Sequence, residues 1–159
     1  MATGPRYRVP FRRKREGKTD YRKRAKLIIS GKPRLVIRKS LNHATVQLIE
    51  YRPEGDVTIT SAHSKELKRH GWKGSTSNMA SFYLTGLMCG MRAIKKKQKN
   101  AVLDAGLASL NKRSKIFAAL KGAIDAGMVI PHGDDVLPED DRFKGEGFEK
   151  VVEKIKSGG

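Results

Sequence analysis

The chain carries 34 Lys or Arg against 16 Asp or Glu over 159 residues, giving a formal net charge of +18 and a pI near 10.3. That length suits one domain of ordinary size with tails, and so large a charge imbalance repels itself unless a polyanion is the partner. A single cysteine, Cys89, excludes an intramolecular disulfide and no Cys/His spacing suits zinc, so a reducing, intracellular protein without metal or other cofactor is expected.

The excess charge sits at the front of the chain. Residues 1–40 hold fifteen Lys or Arg and two acids, residues 41–130 fourteen and six, and residues 131–159 five and eight. Gly4, Pro5, Pro10 and Gly17 break any helix over residues 1–18, which read as an extended arm. Within GPRYRVPFRRKREGKTDYRKR, residues 4–24, the candidates to neutralise phosphates are Arg6, Arg8, Arg12, Arg13, Lys14, Arg15, Lys18, Arg22, Lys23 and Arg24. Tyr7, Phe11 and Tyr21 lie between them and suit stacking on unpaired bases. The weight of Arg favours bidentate phosphate contact over a merely solvated tail. Burying such a row without paired anions is too costly, so the arm is expected to stay disordered until a polyanion orders it. Thr19 then caps a helix, with Asp20 in its first turn and Tyr21, Arg24, Ala25 and Ile28 at helical spacing, before Gly31 and Pro33 stop it.

Three strand-like runs follow, RLVIRKS, ATVQLIEY and VTITSAH, joined by a turn at Asn42–His43 and by the turn signal RPEGD. Short connections make them an antiparallel meander. Alternation puts Leu35, Ile37, Ala44, Val46, Leu48, Val57 and Ile59 on the face that helices cover. Arg34, Arg38, Ser40, Thr45, Gln47, Thr58 and Thr60 fall on the other, which is basic and rich in hydroxyls.

The loop GWKGSTSN follows, then a helix over about 78–95 that is apolar nearly all round and therefore buried. AVLD, residues 101–104, reads as a short inner strand reached by a right-handed crossover. Ser114 caps a further helix closed by Gly127, and residues 145–156 form a last amphipathic helix. The expected fold is α/β of the α+β kind: a mixed, mainly antiparallel sheet with helices on one face. Its parts are a basic arm and short helix over 1–31, a globular domain over 32–133, and an acidic loop with a terminal helix over 134–159.

Arg34, Arg38, Ser40, Asn42, His43 and Gln47 put donors on the first two strands and their turn, where a flat polar sheet could meet sugar and phosphate. The same pattern also suits a sheet face that simply meets water. Trp72 and Lys73 could touch a nucleic acid, though Trp72 serves equally as a lid on the core. Asp134, Asp135, Glu139, Asp140 and Asp141 could suggest a Mg²⁺-dependent nuclease, but they are local, and acids beside Pro138 also suit the first turn of a helix. Gly86 and Gly90 fit close packing of a buried helix, and GWKGSTSN lacks the order of a phosphate-binding loop. Cys89 reads as an inert core thiol. No enzyme emerges, nor a site for a small-molecule substrate. MASFYLTGLMCGM is too short and polar to span a bilayer, and no signal peptide is visible, so a cytoplasmic address is expected. A DNA-binding architectural protein stays open beside an RNA-binding one, and preference for duplex DNA over structured RNA would separate them.

Taken in order, GPRYRVPFRRKREGKTDYRKR, GKPRLVIRKSLNHATVQLI, SAHSKEL, NMASFYLTGLMCGMRA, AVLDAGL and SKIFAALKGAIDAGMVIPH resemble one family across nearly the whole chain. It is the universal large-subunit ribosomal protein numbered eighteen, in its archaeal form. Lys18, Thr19, Asp20, Tyr21, Arg24 and Leu27 stand in the pattern of the eukaryotic relative's arm as well. The resemblance implies a non-enzymatic protein that binds 5S ribosomal RNA and helps seat it on the large-subunit ribosomal RNA, next to a neighbouring 5S-binding ribosomal protein. It implies RNA contact by the arm, and by Arg38, Ser40, Asn42, His43 and Gln47 in RKSLNHATVQ. The tail after residue 138 matches only loosely.

Overall fold

The computed structural model of the protein describes residues 4–139, 143 and 147–158. The arm is not wholly extended: Arg12–Arg15 make one helical turn, α1, and the Arg13 carbonyl accepts from the N–H groups of Lys18 and Thr19 at 2.8 and 3.2 Å. Helix α2 spans Tyr21–Ile29, and its cap is Asp20, one residue later than expected. The Asp20 carboxylate accepts from the N–H groups of Arg22 and Lys23 at 3.0 and 3.2 Å, while the Thr19 hydroxyl accepts from Arg13 Nε at 2.8 Å. A carboxylate caps more strongly than a hydroxyl among so many cations. The Lys23 N–H, aided against slight desolvation by that of Arg22, holds the Asp20 carboxyl below its ordinary range. No residue of α1 or α2 is buried.

Strands β1 (Arg34–Lys39), β2 (Ala44–Glu50), β3 (Val57–His63) and β4 (Val102–Asp104) form one sheet in the order β3-β2-β1-β4. The first three pair antiparallel as expected, and β4 joins β1 in parallel. The inner face carries Leu35, Ile37, Ala44, Val46 and Leu48, all buried. On β3 the alternation fails. A bulge between Leu48 and Ile49 shifts the register, so Thr60 pairs with Leu48 and is buried on the inner face, while Val57 is exposed. One extra residue reverses the parity of a strand.

Ser64–His70 form an unexpected 3-10 helix, a run whose only buried members are Ser64 and Leu67. His63 and Glu66 cap it reciprocally: His63 Nδ1 accepts from the Lys65 N–H at 3.1 Å, and Glu66 accepts from the His63 N–H at 2.9 Å. Partial burial pushes the Glu66 carboxyl up, but the Arg92 guanidinium at 2.7 Å and the His63 N–H outweigh it, and the carboxyl lies below its ordinary range.

Helices α3 (Met79–Lys95) and α4 (Lys115–Asp125) cover the inner face, and α5 (Phe148–Gly158) closes over α3 and the 3-10 helix. Asn78 caps α3 through the Ser81 N–H at 2.8 Å. Ser114 stands at the expected cap of α4, but its hydroxyl makes no cap bond. Cys89, inside α3, is fully buried, and burial pushes its thiol up to about 12. Tyr83 ties the layers together, with its hydroxyl 2.8 Å from Asp125 and its ring stacked at 4.6 Å on Phe143. Phe148, Val151 and Ile155 of α5 join the same core.

Glycines set the approach of α3 to α4. A Cβ at Gly86 would fall on the Ala119 carbonyl, and one at Gly122 on that of Tyr83. Gly→Ala in a free helix gains about 1 kcal/mol, but here overpacking of roughly 3 kcal/mol opposes it. Gly86→Ala should therefore destabilise the protein by about 2 kcal/mol, read as a lower urea midpoint at unchanged slope.

Candidate nucleic-acid interface

Helix α2 and the arm stand off the outer face of the sheet at its β1–β4 edge and leave a cleft of about 590 Å³. Arg13, Lys18, Lys23, Arg24 and Lys26 line it together with Arg34 and Arg38 of β1, and Leu27, Leu103, Leu107 and Leu110 supply apolar wall.

At its base lies a buried ion-pair cluster. Arg34 is only 3% exposed, and its guanidinium donates to Asp104 at 2.7 Å and to Asp56 at 2.6 Å. Arg24 of α2 shares the same Asp56 oxygen at 2.8 Å. The other Asp104 oxygen accepts from the Gly106 N–H at 2.9 Å. Arg34, read from alternation as a surface contact, is therefore enclosed and neutralised by the protein itself.

Arg38, four residues on, stays exposed. Its guanidinium lies over Gly106, which has φ 62° and no Cβ to obstruct it. Arg38 thus belongs both to the cleft and to the polar rows of the outer sheet face. One row runs Arg38–Thr45–His63 and the next Val36–Gln47–Ser61. In the β1–β2 turn, the Ser40 hydroxyl donates to the His43 carbonyl at 3.0 Å and accepts from the His43 N–H at 2.9 Å. Asn42 is exposed at the tip, and its carbonyl accepts from the Thr76 hydroxyl at 2.6 Å. His43 is half-buried, its ring tilted against that of His63 at 4.9 Å with Nδ1 3.4 Å from the Ser64 hydroxyl. The turn is thus held from several sides, with Leu41 outermost and Ser40 and Asn42 exposed beside it.

The arm's own acids are satisfied locally. Glu16 sits between Arg12 at 3.6 Å and Lys18 at 2.9 Å, and Asp20 caps α2. Arg6, Arg8, Lys14, Arg15, Arg22 and Lys23 are exposed and make no ion pair among the described residues. Phe11, 72% exposed, meets the Tyr21 ring at 5.2 Å, so arm and helix together build an aromatic platform among cations; Tyr7 is exposed nearby in sequence. A surface of this kind can neutralise phosphates and stack bases.

Trp72 is withdrawn from that surface. It is 6% exposed, part of the core, and its indole N–H donates to the Ser75 carbonyl at 3.1 Å. Lys73 beside it is exposed. Lys26, in the cleft, escaped the sequence reading although it lies at helical spacing from Arg22 and Lys23. Of the acid cluster, Asp135 faces Lys112 at 3.6 Å and Glu139 faces Arg113 at 3.0 Å, while Asp140 and Asp141 lie outside the described residues. Among the described residues no three His, Cys, Asp or Glu side chains gather as metal ligands, and no helix is long and apolar enough to cross a membrane.

Comparison with known proteins adds a family. The model of the family described as "Ribosomal large subunit proteins 60S L5, and 50S L18" matches residues 5–102 and 95–133. The chain is 53% identical over 156 residues to the large ribosomal subunit protein uL18 of Methanococcus maripaludis, covering 98% of this chain and 81% of that one. The proteins of the same name from Methanothermobacter thermautotrophicus and Methanobrevibacter smithii are 52% and 54% identical over 155 residues, with 98% of this chain covered and 81% and 80% of theirs.

The cluster under the cleft sets an order of stability losses. Asp104→Ala leaves a buried guanidinium half-paired and should cost about 3 kcal/mol. Asp56→Ala, at a more exposed carboxylate, should cost less. Its distinguishing effect, read by amide hydrogen exchange, is faster exchange across α2 with the central strands still protected.

Proposed function

The chain belongs to this family of large-subunit ribosomal proteins, and from that membership we propose that it binds 5S ribosomal RNA and helps anchor it to the large-subunit ribosomal RNA. It is a non-enzymatic constituent of the large ribosomal subunit, a cytoplasmic particle, with ribosomal RNA as its partner class. A neighbouring 5S-binding ribosomal protein completes the proposed set of partners.

The observation that carries the RNA reading is the density of exposed cations along the arm and α2, joined at the cleft by Arg38, with the arm's own carboxylates already paired or capping. In this reading the arm supplies most of the salt-dependent affinity through Arg6, Arg8, Arg12, Arg13, Lys14, Arg15 and Lys18. Tyr7 and the Phe11–Tyr21 platform stack on unpaired bases. Arg38, Ser40, Asn42, His43 and Gln47, fixed on strands and a rigid turn, recognise the shape of the RNA, because a preorganised donor set loses little entropy on binding. The platform favours structured RNA with unpaired bases over duplex DNA, whose bases are already stacked.

Affinity for purified 5S ribosomal RNA, a structured RNA of similar length and a DNA duplex, measured across a salt series, tests this. A preference for 5S that survives near-physiological salt is the expected outcome; three affinities that fall together would reduce the arm to a polycation. Replacing Arg12, Arg13 and Arg15 with Gln should lower the salt slope on 5S RNA by about 2 to 3, without moving the urea midpoint. An unchanged slope would remove α1 from the interface.

A further inference from the structure

Leucines line the cleft under α2 and remain open to solvent. Leu27 comes from α2, Leu103 from β4, and Leu107 and Leu110 from the segment that follows β4. Leu27 and Leu103 are half-buried, whereas Leu107 and Leu110 are each 53% exposed. No residue of α2 is buried, and the ion pair of Arg24 with Asp56 tethers the helix across the cleft. A single exposed leucine needs no explanation. Four that converge from three segments on a concave space of about 590 Å³ have the form of a binding site.

The charges around these leucines define what fits. Arg34, Arg24 and Lys18 already meet carboxylates. Lys23, Lys26 and Arg38 line the cleft, are exposed, and make no ion pair among the described residues. Lys23 stands three residues before Lys26 and four before Leu27, so one face of α2 presents cations beside a leucine. The two acids of the lining are engaged, Asp20 as the cap of α2 and Asp104 with Arg34. A complementary occupant is therefore anionic and aliphatic at once. RNA supplies only the first property, because bases stack on aromatic rings or guanidinium planes and a leucine offers neither. An acidic amphipathic helix supplies both, with leucine-like side chains at i, i+3 or i+4 and i+7 and carboxylates beside them.

We propose that the cleft under α2 docks an acidic, leucine-bearing helix of a partner protein. Leu27, Leu103, Leu107 and Leu110 bury its aliphatic side chains, and Lys23, Lys26 and Arg38 meet its carboxylates. The leucines give the affinity its selectivity; the cations orient the helix and speed its approach. This does not rest on the RNA reading, which makes no use of the four leucines.

The test compares two fluorescent peptides by anisotropy against the full chain at near-physiological salt. The first carries leucines at helical spacing with glutamates between them, and the second keeps every glutamate but has alanine for each leucine. Wild type should bind the leucine peptide about tenfold more tightly than the alanine peptide. L107S/L110S should lose that preference, with the urea midpoint unmoved because both side chains are half exposed, and with 5S affinity within about twofold of wild type. K23Q/K26Q should weaken both peptides together and flatten their salt dependence. Equal affinity for the two peptides, or a leucine preference that survives in L107S/L110S, overturns the proposal. So does a loss of 5S affinity in L107S/L110S without any leucine preference in wild type, which would give the cleft to RNA. If wild type does not bind 5S RNA, the earlier reading fails, and the peptide comparison still decides this one.

Discussion

The arrangement depends on one buried guanidinium. Arg34 enters the sheet on the face away from the helices, where a cation without counter-charge would cost several kcal/mol. It is tolerated because Asp104 reaches it from the end of β4 and Asp56 from the loop before β3. Those two carboxylates do not merely neutralise it. Asp56 also holds Arg24, so the same requirement that stabilises the sheet fixes where α2 stands and how wide the cleft beneath it is. The position of the basic surface follows from the need to pair one charge inside.

A chain at +18 has little scope for internal compensation, and its acids are placed accordingly. Glu16, Asp20, Asp56, Glu66 and Asp104 each meet a cation or a helix end. The remaining cations of the arm are left facing outward and repel one another, which raises their readiness to meet phosphate. Self-repulsion and affinity have the same source here. The apolar side of the molecule is conventional by contrast, with α3 and α4 pressed together at Gly86 and Gly122 to shield the inner face.

Much of this could be read from the sequence, and the exceptions share a cause. Alternation found β1 and β2 and their inner residues, apolar density found α3 as a buried helix, and AVLD was recognisable as an inner strand. Local rules missed what depends on distant partners. Nothing in RLVIRKS says that Arg34 will be enclosed, because the carboxylate that encloses it lies 70 residues away. Thr60 was assigned to the wrong face because a bulge has no mark in a run as regular as VTITSAH. Asp20 displaced Thr19 as cap because two plausible caps stood side by side. At the candidate interface, density of charge and interleaved aromatics were legible, whereas the meeting of Phe11 with Tyr21 and the burial of Trp72 were not, since both are contacts made only in three dimensions.

The parallel pairing of β1 with β4 also has a consequence in time. Arg34 leaves the synthesis machinery 70 residues ahead of Asp104, the partner that makes its burial tolerable. At about 5–20 residues per second, that interval lasts several seconds. Within it, β1 can pair with β2 and β2 with β3, but the outer face stays open and hydrated around a guanidinium whose one available carboxylate is Asp56. The nascent chain then presents its whole cationic arm attached to an unfinished sheet. Closing the sheet around Arg34 is thus a late step, whereas the contact of Asp56 with Arg24 that places the basic helix can form before it.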